Sequence, residues 1–328
     1  MISITARVNR VSLSRKSFIA PRNLCSCTRA TRATSYTLNT GVKIPSLGFG
    51  RFRDPDSQGD TVSQALRKGM RLIDTARVYD VEEQVGKGIK KSGVPREEIF
   101  LGTKLWCSDY HPDGVERALD DSLRELDTPY VDLLLMHYPC TFKRGSDQFP
   151  RDADGRIIHG ETTFVDTWKA MEKMTKTGRV KGIGVSNFSQ GEIQTLLNET
   201  STPGLGHELI TFQDPCRSPD GSSSLLATER IQQMAKGQGN PRRPVQPARK
   251  YERFLSADWV VQGSCAYDAR IDQPILKEIG DKYGKSAVQV VLAWGINSGR
   301  SVIPKSVVDW QIEQNLEADF ELQPKDMS

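Results

Sequence analysis

The sequence lacks several features that would assign a function at once. No apolar run reaches the eighteen or so residues of a membrane helix, so we expect no membrane span. The four histidines show no paired ligand spacing, so we expect no metal site and disfavour a metal-dependent hydrolase. The six cysteines are too scattered in 328 residues to indicate a disulfide framework, and they suit a reducing compartment. No strand-like run is followed by GxGxxG, which argues against a Rossmann dinucleotide site.

Acidic residues are absent from residues 1–53, which contain ten of the 45 Lys and Arg residues. The other residues carry 35 bases and 41 acids, a net charge of −6, which argues against a nucleic-acid-binding protein. Residues 1–35 are rich in Arg and Ser without a long apolar segment, a composition typical of a mitochondrial transit peptide. A disordered extension, or a stretch wrongly included in the reading frame, is the alternative. We expect a cytoplasmic protein, with a mitochondrial location as the alternative.

From Tyr36 onward, short apolar runs alternate with amphipathic stretches, the pattern of parallel strands joined by helices. The strand-like runs are KIPSLGFG, RLIDTA, IFLGTKLW, VDLLLMHYP, VKGIGVSNF and RSVIPKS. The helix-like stretches include VERALDDSLRELD, VDTWKAMEKMTKTG and SAVQVVLAWGI, the last with Ser286 as its N-cap. This order predicts an α/β fold, a (β/α)₈ TIM barrel over residues 36–328. The segment TLNTGVKI predicts an N-terminal β-hairpin that closes the bottom of the barrel.

Residues 200–258 interrupt this alternation, because they are crowded with Pro, Gly, Ser and Arg. The sixth and seventh strands of a barrel belong in this part of the chain, yet the pattern assigns neither. A compact domain rarely holds so long a loop without secondary structure. The segment is therefore atypical or disordered, or it contains strands that the apolar pattern does not reveal.

Polar side chains come at the ends of several predicted strands. They are Asp74, Lys104, His137, Ser186 with Asn187, and Lys305. Taken alone, a lysine after a strand is usually solvated, and a single histidine is usually a hydrogen-bonded core group. In a (β/α)₈ barrel, however, the C-terminal ends of the strands converge on one face, where catalytic residues lie. The sequence therefore predicts a polar site on that face.

Five segments resemble one known family. LIDTARVYDVEEQVG resembles the aldo-keto reductase signature DTAxxYxNExxVG, and GTKLW, LLLMHYP, GIGVSNF and VIPKS follow in the family's order. The chain is similar to fungal-type NADPH-dependent aldehyde and sugar reductases of this family over residues 36–198 and 268–327. The resemblance implies a monomer that reduces a small aldehyde or ketone to an alcohol with NADPH. An NADPH-binding or regulatory barrel with impaired catalysis is the alternative, because residues 200–258 are atypical.

The resemblance implies a catalytic set of four residues. Tyr79 corresponds to the general acid, which protonates the carbonyl oxygen as hydride arrives. An isolated tyrosine has a pKa of about 10, so it needs help to donate and regain its proton near neutral pH. The resemblance gives that task to Lys104, whose charge favours the tyrosinate, and to Asp74, which holds the lysine. His137 would hydrogen-bond and orient the carbonyl.

The resemblance also implies where NADPH binds. Ser186 and Asn187 match residues that bind the nicotinamide carboxamide. Lys305 and Ser306 match the clamp on the adenosine 2′-phosphate, which combines a cation with a hydroxyl.

This sequence departs from the family near both ends of the cofactor. Gln311 replaces the usual Arg, which softens the preference for NADPH, while Gln314 and Asn315 remain as contacts on the adenine side. Val81 replaces the Asn that usually precedes the signature Glu. On the substrate side, Trp106 and Phe52 follow strand-like runs, and together with His137 we expect them to contact the substrate.

Overall fold

The computed structural model describes residues 6–8, 34–38, 41–50, 58–200, 210–212 and 273–327. Their strands are β1 (Ala6–Val8), β2 (Ser35–Thr37), β3 (Lys43–Pro45), β4 (Phe49–Gly50), β5 (Leu72–Asp74), β6 (Phe100–Leu105), β7 (Leu133–Met136), β8 (Ile183–Ser186) and β9 (Ile210–Phe212). Their α-helices are α1 (Gln58–Arg67), α2 (Glu82–Ser92), α3 (Pro112–Glu125), α4 (Phe164–Thr175), α5 (Gln190–Glu199), α6 (Pro274–Tyr283), α7 (Ala287–Asn297) and α8 (Asp309–Leu316).

Strands β4 to β9 form a parallel sheet in chain order, with helices between successive strands. Every residue of β6 is buried, as expected when both faces of a parallel sheet are covered. On the far side of β4, Leu47 pairs in parallel with Val302, and the Gly50 amide donates to the Pro304 carbonyl at 3.1 Å. The segment 301–304 therefore occupies the place of the eighth strand. The fold is a (β/α)₈ TIM barrel, as the sequence predicts.

Strand β9 corrects one expectation from the sequence. It lies within residues 200–258, where the apolar pattern assigned no strand, and it pairs in parallel with β8 through Val185 and Thr211. Its other edge pairs antiparallel with β1. A strand of three residues is too short to show a periodic pattern, so only its pairing with β8 reveals it. The expected seventh strand falls in residues 213–272, outside the described residues.

The predicted hairpin is present as β2 and β3, which pair antiparallel. Leu38 and Ile44 of the hairpin pack with Leu72, Phe100 and Leu133, which begin β5, β6 and β7. The hairpin therefore covers the N-terminal ends of the strands, the bottom of the barrel. This packing leaves the opposite face, at the C-terminal ends, for the site.

The helix-like stretches of the sequence form helices with buried apolar residues. Val115, Leu119 and Leu123 of α3 are all buried in the main hydrophobic core. Helix α7 begins with Ser286 as its N-cap, in a capping box with Gln289. No helix within the described ranges is long and apolar enough to cross a bilayer.

One glycine of the signature has a packing reason. Helix α2 approaches the end of α3 so closely that a Cβ on Gly86 would lie 2.6 Å from the carbonyl oxygen of Leu126. Any side chain there would push the two helices apart. Because α2 follows the turn that carries Tyr79, this close approach fixes the position of that turn.

Candidate active site

Asp74 and Lys104 form a buried ion pair at the C-terminal ends of β5 and β6. Lys104 Nζ donates to Asp74 Oδ2 at 2.6 Å and to the Thr75 carbonyl oxygen at 2.9 Å. Both charged side chains are almost fully removed from solvent. The lysine is thus held by two acceptors in a fixed place, although 30 residues separate it from Asp74 in the chain.

Tyr79 lies next to this pair on a single 3₁₀ turn, Arg77–Tyr79, that follows β5. Lys104 Nζ is 5.4 Å from the centre of the tyrosine ring. His137, directly after β7, contacts the same ring edge-on, with 5.5 Å between ring centres. The structure therefore brings together all four residues of the predicted catalytic set.

Burial shapes the protonation of this cluster. It raises the pKa of the Asp74 carboxyl and lowers the pKa of the Lys104 ammonium, and the attraction between the two charges opposes both shifts. Burial, followed by the nearby Lys104 charge, lowers the pKa of His137 well below its usual value. His137 is therefore a neutral imidazole near neutral pH. It can donate a hydrogen bond, but it has no extra proton to supply.

The cluster also keeps unused hydrogen-bonding capacity. In the part of the chain that the structure describes, His137 Nδ1 and Asp74 Oδ1 are buried without a hydrogen-bond partner. Buried polar atoms without a partner are costly in a fold, and a functional role is one reason that a native structure keeps them. Their place beside Tyr79 is what a site for a polar ligand requires.

Glu82, the glutamate of the signature, has a role that the sequence analysis missed. Its two carboxyl oxygens accept hydrogen bonds from Thr103 at 2.5 Å and from Ser122 at 2.9 Å. It thereby joins α2 to β6 and α3 directly behind Lys104. Burial raises the pKa of Glu82 to about 7, although the two hydroxyls oppose this shift. Its position in the signature was the available signal.

Trp106 lies where the sequence predicts, against His137 of the predicted catalytic set. Its ring contacts His137 edge-on, with 5.3 Å between ring centres. Its indole Nε1 donates to the main-chain oxygen of Gln148 at 2.7 Å. The ring is therefore fixed, and it forms a wall of the site. Phe52, the other predicted aromatic contact, lies outside the described residues.

Residues 138–163, which we call the β7–α4 segment, add aromatic rings that the sequence analysis missed. Tyr138 stacks on His137, with 5.2 Å between ring centres. Phe142 and Phe149 contact Trp106 at 5.8 and 5.4 Å. A further hydrogen bond of 2.7 Å, from Gln148 Nε2 in this segment to Asp80, ties it to the residue after Tyr79. The segment therefore lies beside both Tyr79 and Trp106.

Ser186 and Asn187, the predicted carboxamide contacts, lie beside the cluster at the end of β8. Asn187 has a left-handed backbone, with φ of 63°. Its Nδ2 donates to the His137 main-chain oxygen at 2.8 Å and to Ser186 Oγ at 3.0 Å. Both side chains are buried. This pair is therefore coupled to the residue predicted to orient the carbonyl.

The predicted phosphate contacts lie between the segment 301–304 and α8. Lys305 is half-buried and Ser306 is buried. Ser306 Oγ donates to Gln311 Oε1 at 2.6 Å, and the Val308 amide donates to Ser306 Oγ at 2.9 Å. A lysine next to a hydroxyl suits a phosphate, so these residues fit an anionic cofactor. Gln311 contributes an amide where the family's arginine would contribute a charge.

The predicted contacts on the adenine side both lie on α8. Gln314 is exposed, and its main-chain oxygen accepts a hydrogen bond of 2.9 Å from Gln289. Asn315 is buried one residue further along the helix. The structure therefore places them one helical turn beyond Gln311.

A TIM barrel with a tyrosine, a lysine, an aspartate and a histidine meeting at the C-terminal ends of its strands defines a class of barrel oxidoreductases. Residues 46–207 match the model of the Aldo/keto reductase family. The chain belongs to this family. It is therefore an NAD(P)H-dependent oxidoreductase that acts on small carbonyl compounds.

Similar proteins extend the match to most of the chain. Aldo-keto reductase family 1 member A1 of Xenopus tropicalis is 37% identical over 307 residues, covering 91% of this chain and 88% of the relative. An oxidoreductase of Schizosaccharomyces pombe is 35% identical over 289 residues, covering 85% and 82%. The solved structure of the aldose reductase from Schistosoma japonicum superposes with a TM-score of 0.69 and 28% identity, covering 90% of each chain. Because animal and fungal relatives match about equally, the comparisons show the family and not a fungal subgroup.

Proposed function

We propose that the protein reduces small aldehydes or ketones to alcohols with NADPH, and that Tyr79 is the general acid. The observation that carries this proposal is the position of the Tyr79 ring. It lies 5.4 Å from the Lys104 ammonium and 5.5 Å from the His137 ring. A structural ion pair between Lys104 and Asp74 would not require a tyrosine and an imidazole beside it.

Each residue of the cluster has a distinct task. The bound cofactor supplies the hydride. Neutral His137 donates a hydrogen bond to the carbonyl oxygen and orients it, while the Tyr79 phenol gives its proton to the same oxygen. The Lys104 ammonium stabilises the phenolate that results, and Asp74 holds that ammonium in place. Because these groups are buried, little water competes for the hydrogen bonds.

The same proposal assigns the cofactor contacts. Ser186 and Asn187 bind the carboxamide of the nicotinamide, next to the catalytic cluster. Lys305 and Ser306 bind the 2′-phosphate, which distinguishes NADPH from NADH. Gln311 adds a neutral amide to this group, so the preference for NADPH is weaker than an arginine would give. Gln314 and Asn315 contact the adenine side.

The aromatic surroundings favour a short carbonyl substrate. Trp106 is fixed by its bond to the Gln148 carbonyl, and together with His137 it contacts the substrate. Phe52 belongs to the same proposed wall. Rigid aromatic walls provide apolar contact area and leave the carbonyl to the polar groups. We propose that the protein acts as a monomer.

The test measures turnover of NADPH with DL-glyceraldehyde. The absorbance of the reduced nicotinamide reports the rate. We expect Tyr79→Phe to reduce kcat about 10²-fold to 10⁴-fold while NADPH still binds, because only the transferable proton is lost. Tyr130→Phe is the matched control. Tyr130 lies against Arg96 and Lys181, away from the cluster, so turnover should persist.

Two results would count against the proposal. Wild-type protein that binds NADPH without turning over would indicate a binding or regulatory barrel. Undiminished turnover by Tyr79→Phe would remove the tyrosine from the mechanism. NADPH binding is measured by fluorescence titration in every variant, so that a loss of binding is not mistaken for a loss of chemistry.

A further inference from the structure

Two cysteines face each other beside the site without a part in the proposed reaction. Cys107 directly follows Trp106, and Cys140 lies three residues after His137. Their Sγ atoms are 3.8 Å apart, across 33 residues of chain. The Phe142 amide donates to the Cys107 carbonyl at 2.9 Å, so the two backbone segments are held side by side.

The two thiols differ in their access to solvent. Cys107 is fully buried, whereas Cys140 is partly exposed. Burial raises the pKa of the Cys107 thiol well above its usual value, and the neighbouring Cys140 contributes to the shift. Cys107 therefore stays a protonated thiol that resists direct attack. Cys140 is the sulfur that a small oxidant in solution reaches first.

The spacing is close to that of a covalent link. A disulfide holds its sulfurs about 2.05 Å apart, so the pair must close by less than about 2 Å. Cys140 lies in the β7–α4 segment, outside the helices and strands. Holding two thiols this close gives each a high effective concentration toward the other, which favours a reaction between them.

We propose that Cys107 and Cys140 form a peroxide-sensitive dithiol that oxidises to an internal disulfide. In the first step the Cys140 thiolate attacks one oxygen of a hydroperoxide, the O–O bond breaks, and Cys140 becomes a sulfenic acid while hydroxide or alkoxide leaves. In the second step Cys107 Sγ attacks Cys140 Sγ and expels hydroxide, which takes the Cys107 proton and leaves as water. Hydrogen peroxide gains the two electrons that the two sulfurs lose. A small thiol reverses the change by exchange.

Oxidation of the two thiols would change the structure beside the site, but it does not depend on the carbonyl reaction. The disulfide would join the segment that carries Trp106 to the one that carries His137 and Tyr138. The buried thiol also protects its partner, because a sulfenic acid that condenses at once cannot proceed to the irreversible sulfinic acid. The dithiol is thus a reversible modification site, whichever substrate the enzyme uses.

Peptide mapping by mass spectrometry tests the proposal without an activity assay. The full chain is used with the other four cysteines replaced by serine, and also with all six cysteines present as a check on folding. These four, Cys25, Cys27, Cys216 and Cys265, lie outside the described residues. After treatment with hydrogen peroxide, we expect the peptides of Cys107 and Cys140 to be linked, with loss of two hydrogen atoms. Dithiothreitol should restore both thiols.

Two single variants distinguish the pair from two independent thiols. Cys107→Ser leaves Cys140 without its partner, so Cys140 should accumulate as a sulfenic acid that dimedone traps. Cys140→Ser leaves the buried Cys107, which should remain a free thiol at the same dose. The proposal is overturned if no linked peptide forms, or if dimedone traps Cys140 as strongly in the protein with both thiols as in Cys107→Ser.

Discussion

The Lys104 ammonium donates a hydrogen bond of 2.6 Å to Asp74 Oδ2, and both side chains are almost completely removed from solvent. Two buried charges of opposite sign offset each other's desolvation, so neither is tolerated well without the other. The pair therefore has two separable functions. It places a cation near Tyr79. It also allows the two charged side chains at the ends of β5 and β6 to be buried at a lower cost in free energy.

Changing the pair one residue at a time should separate these functions. We expect Lys104→Met to lower kcat about 10²-fold or more, and to lower the free energy of unfolding by about 3 kcal/mol because Asp74 loses its partner. Adding Asp74→Asn should recover part of the stability, since the unpaired charge is removed, but none of the turnover. Denaturant unfolding and steady-state kinetics measure the two effects. A double variant that regains activity would show that the cation is not needed.

Glu82 should make stability depend on pH. Burial raises its pKa from the ordinary value of about 4.5 to about 7 in the folded protein, so the folded state binds a proton more tightly than the unfolded state. This stabilisation is complete below about pH 4.5 and is lost as the pH rises through about 7, a change of roughly 3 kcal/mol. We expect Glu82→Gln to flatten the dependence, because a neutral amide resembles the protonated acid.

The measurement is the free energy of unfolding by urea at about pH 5 and pH 8. Glu83→Gln is the control, since Glu83 is exposed and pairs with Lys87 on the surface of α2. This control variant should leave the change in the free energy of unfolding between the two pH values the same as in the wild type. If Glu82→Gln also leaves this change the same, the Glu82 carboxyl does not titrate in the folded protein.

Gln311 should limit the discrimination between NADPH and NADH. We expect Gln311→Arg to tighten NADPH binding by about tenfold, because a hydrogen bond to a charged group contributes about 1.5–3 kcal/mol. NADH, which lacks the 2′-phosphate, should bind as before. Fluorescence titration with each cofactor gives the two dissociation constants.

Gln311→Met is the companion change, since it removes one of the two acceptors of the Ser306 hydroxyl, leaving the Val308 carbonyl, and adds no charge. It should alter the ratio of the two constants far less than the arginine does. If Gln311→Arg strengthens the binding of NADH and NADPH equally, the 2′-phosphate does not bind at this position.

The indole nitrogen of Trp106 should matter for substrate binding more than for chemistry. Trp106→Phe keeps a ring against His137 but removes the donor to the Gln148 carbonyl, so the β7–α4 segment loses one anchor. We expect the KM for the carbonyl to rise about fivefold, in line with about 1 kcal/mol for one hydrogen bond, with kcat nearly unchanged. Trp168→Phe is the control, because its indole bonds to Glu172 within α4. The same rise in KM for both variants would rule out a specific effect of Trp106.

Much of the site was predictable because the barrel converts sequence spacing into position. Asp74, Lys104 and His137 each end an apolar run, and parallel strands bring such ends together. Ser186 and Asn187 likewise come at the end of a predicted strand, whereas their roles are what the family resemblance implies. These predictions needed only the strand pattern and the motif, both of which are local.

The rest depended on contacts that no local pattern shows. Strand β9 has three residues, and it is defined by pairing with β8 across an irregular stretch. Phe142 and Phe149 reach Trp106 only because the β7–α4 segment folds back across the strand ends. Glu82 joins three elements through its two oxygens, which a linear motif cannot reveal.

The contact between β4 and the segment 301–304 has a consequence for how the protein is made. Ser301 bonds to the carbonyl of Pro45 across 256 residues, beside the pairing of Leu47 with Val302. A ribosome must therefore release the 256 residues of chain that separate these two segments before this seam can form, and closing so large a loop is slow. Until then β4 has an unpaired edge that chaperones or neighbouring nascent chains can capture.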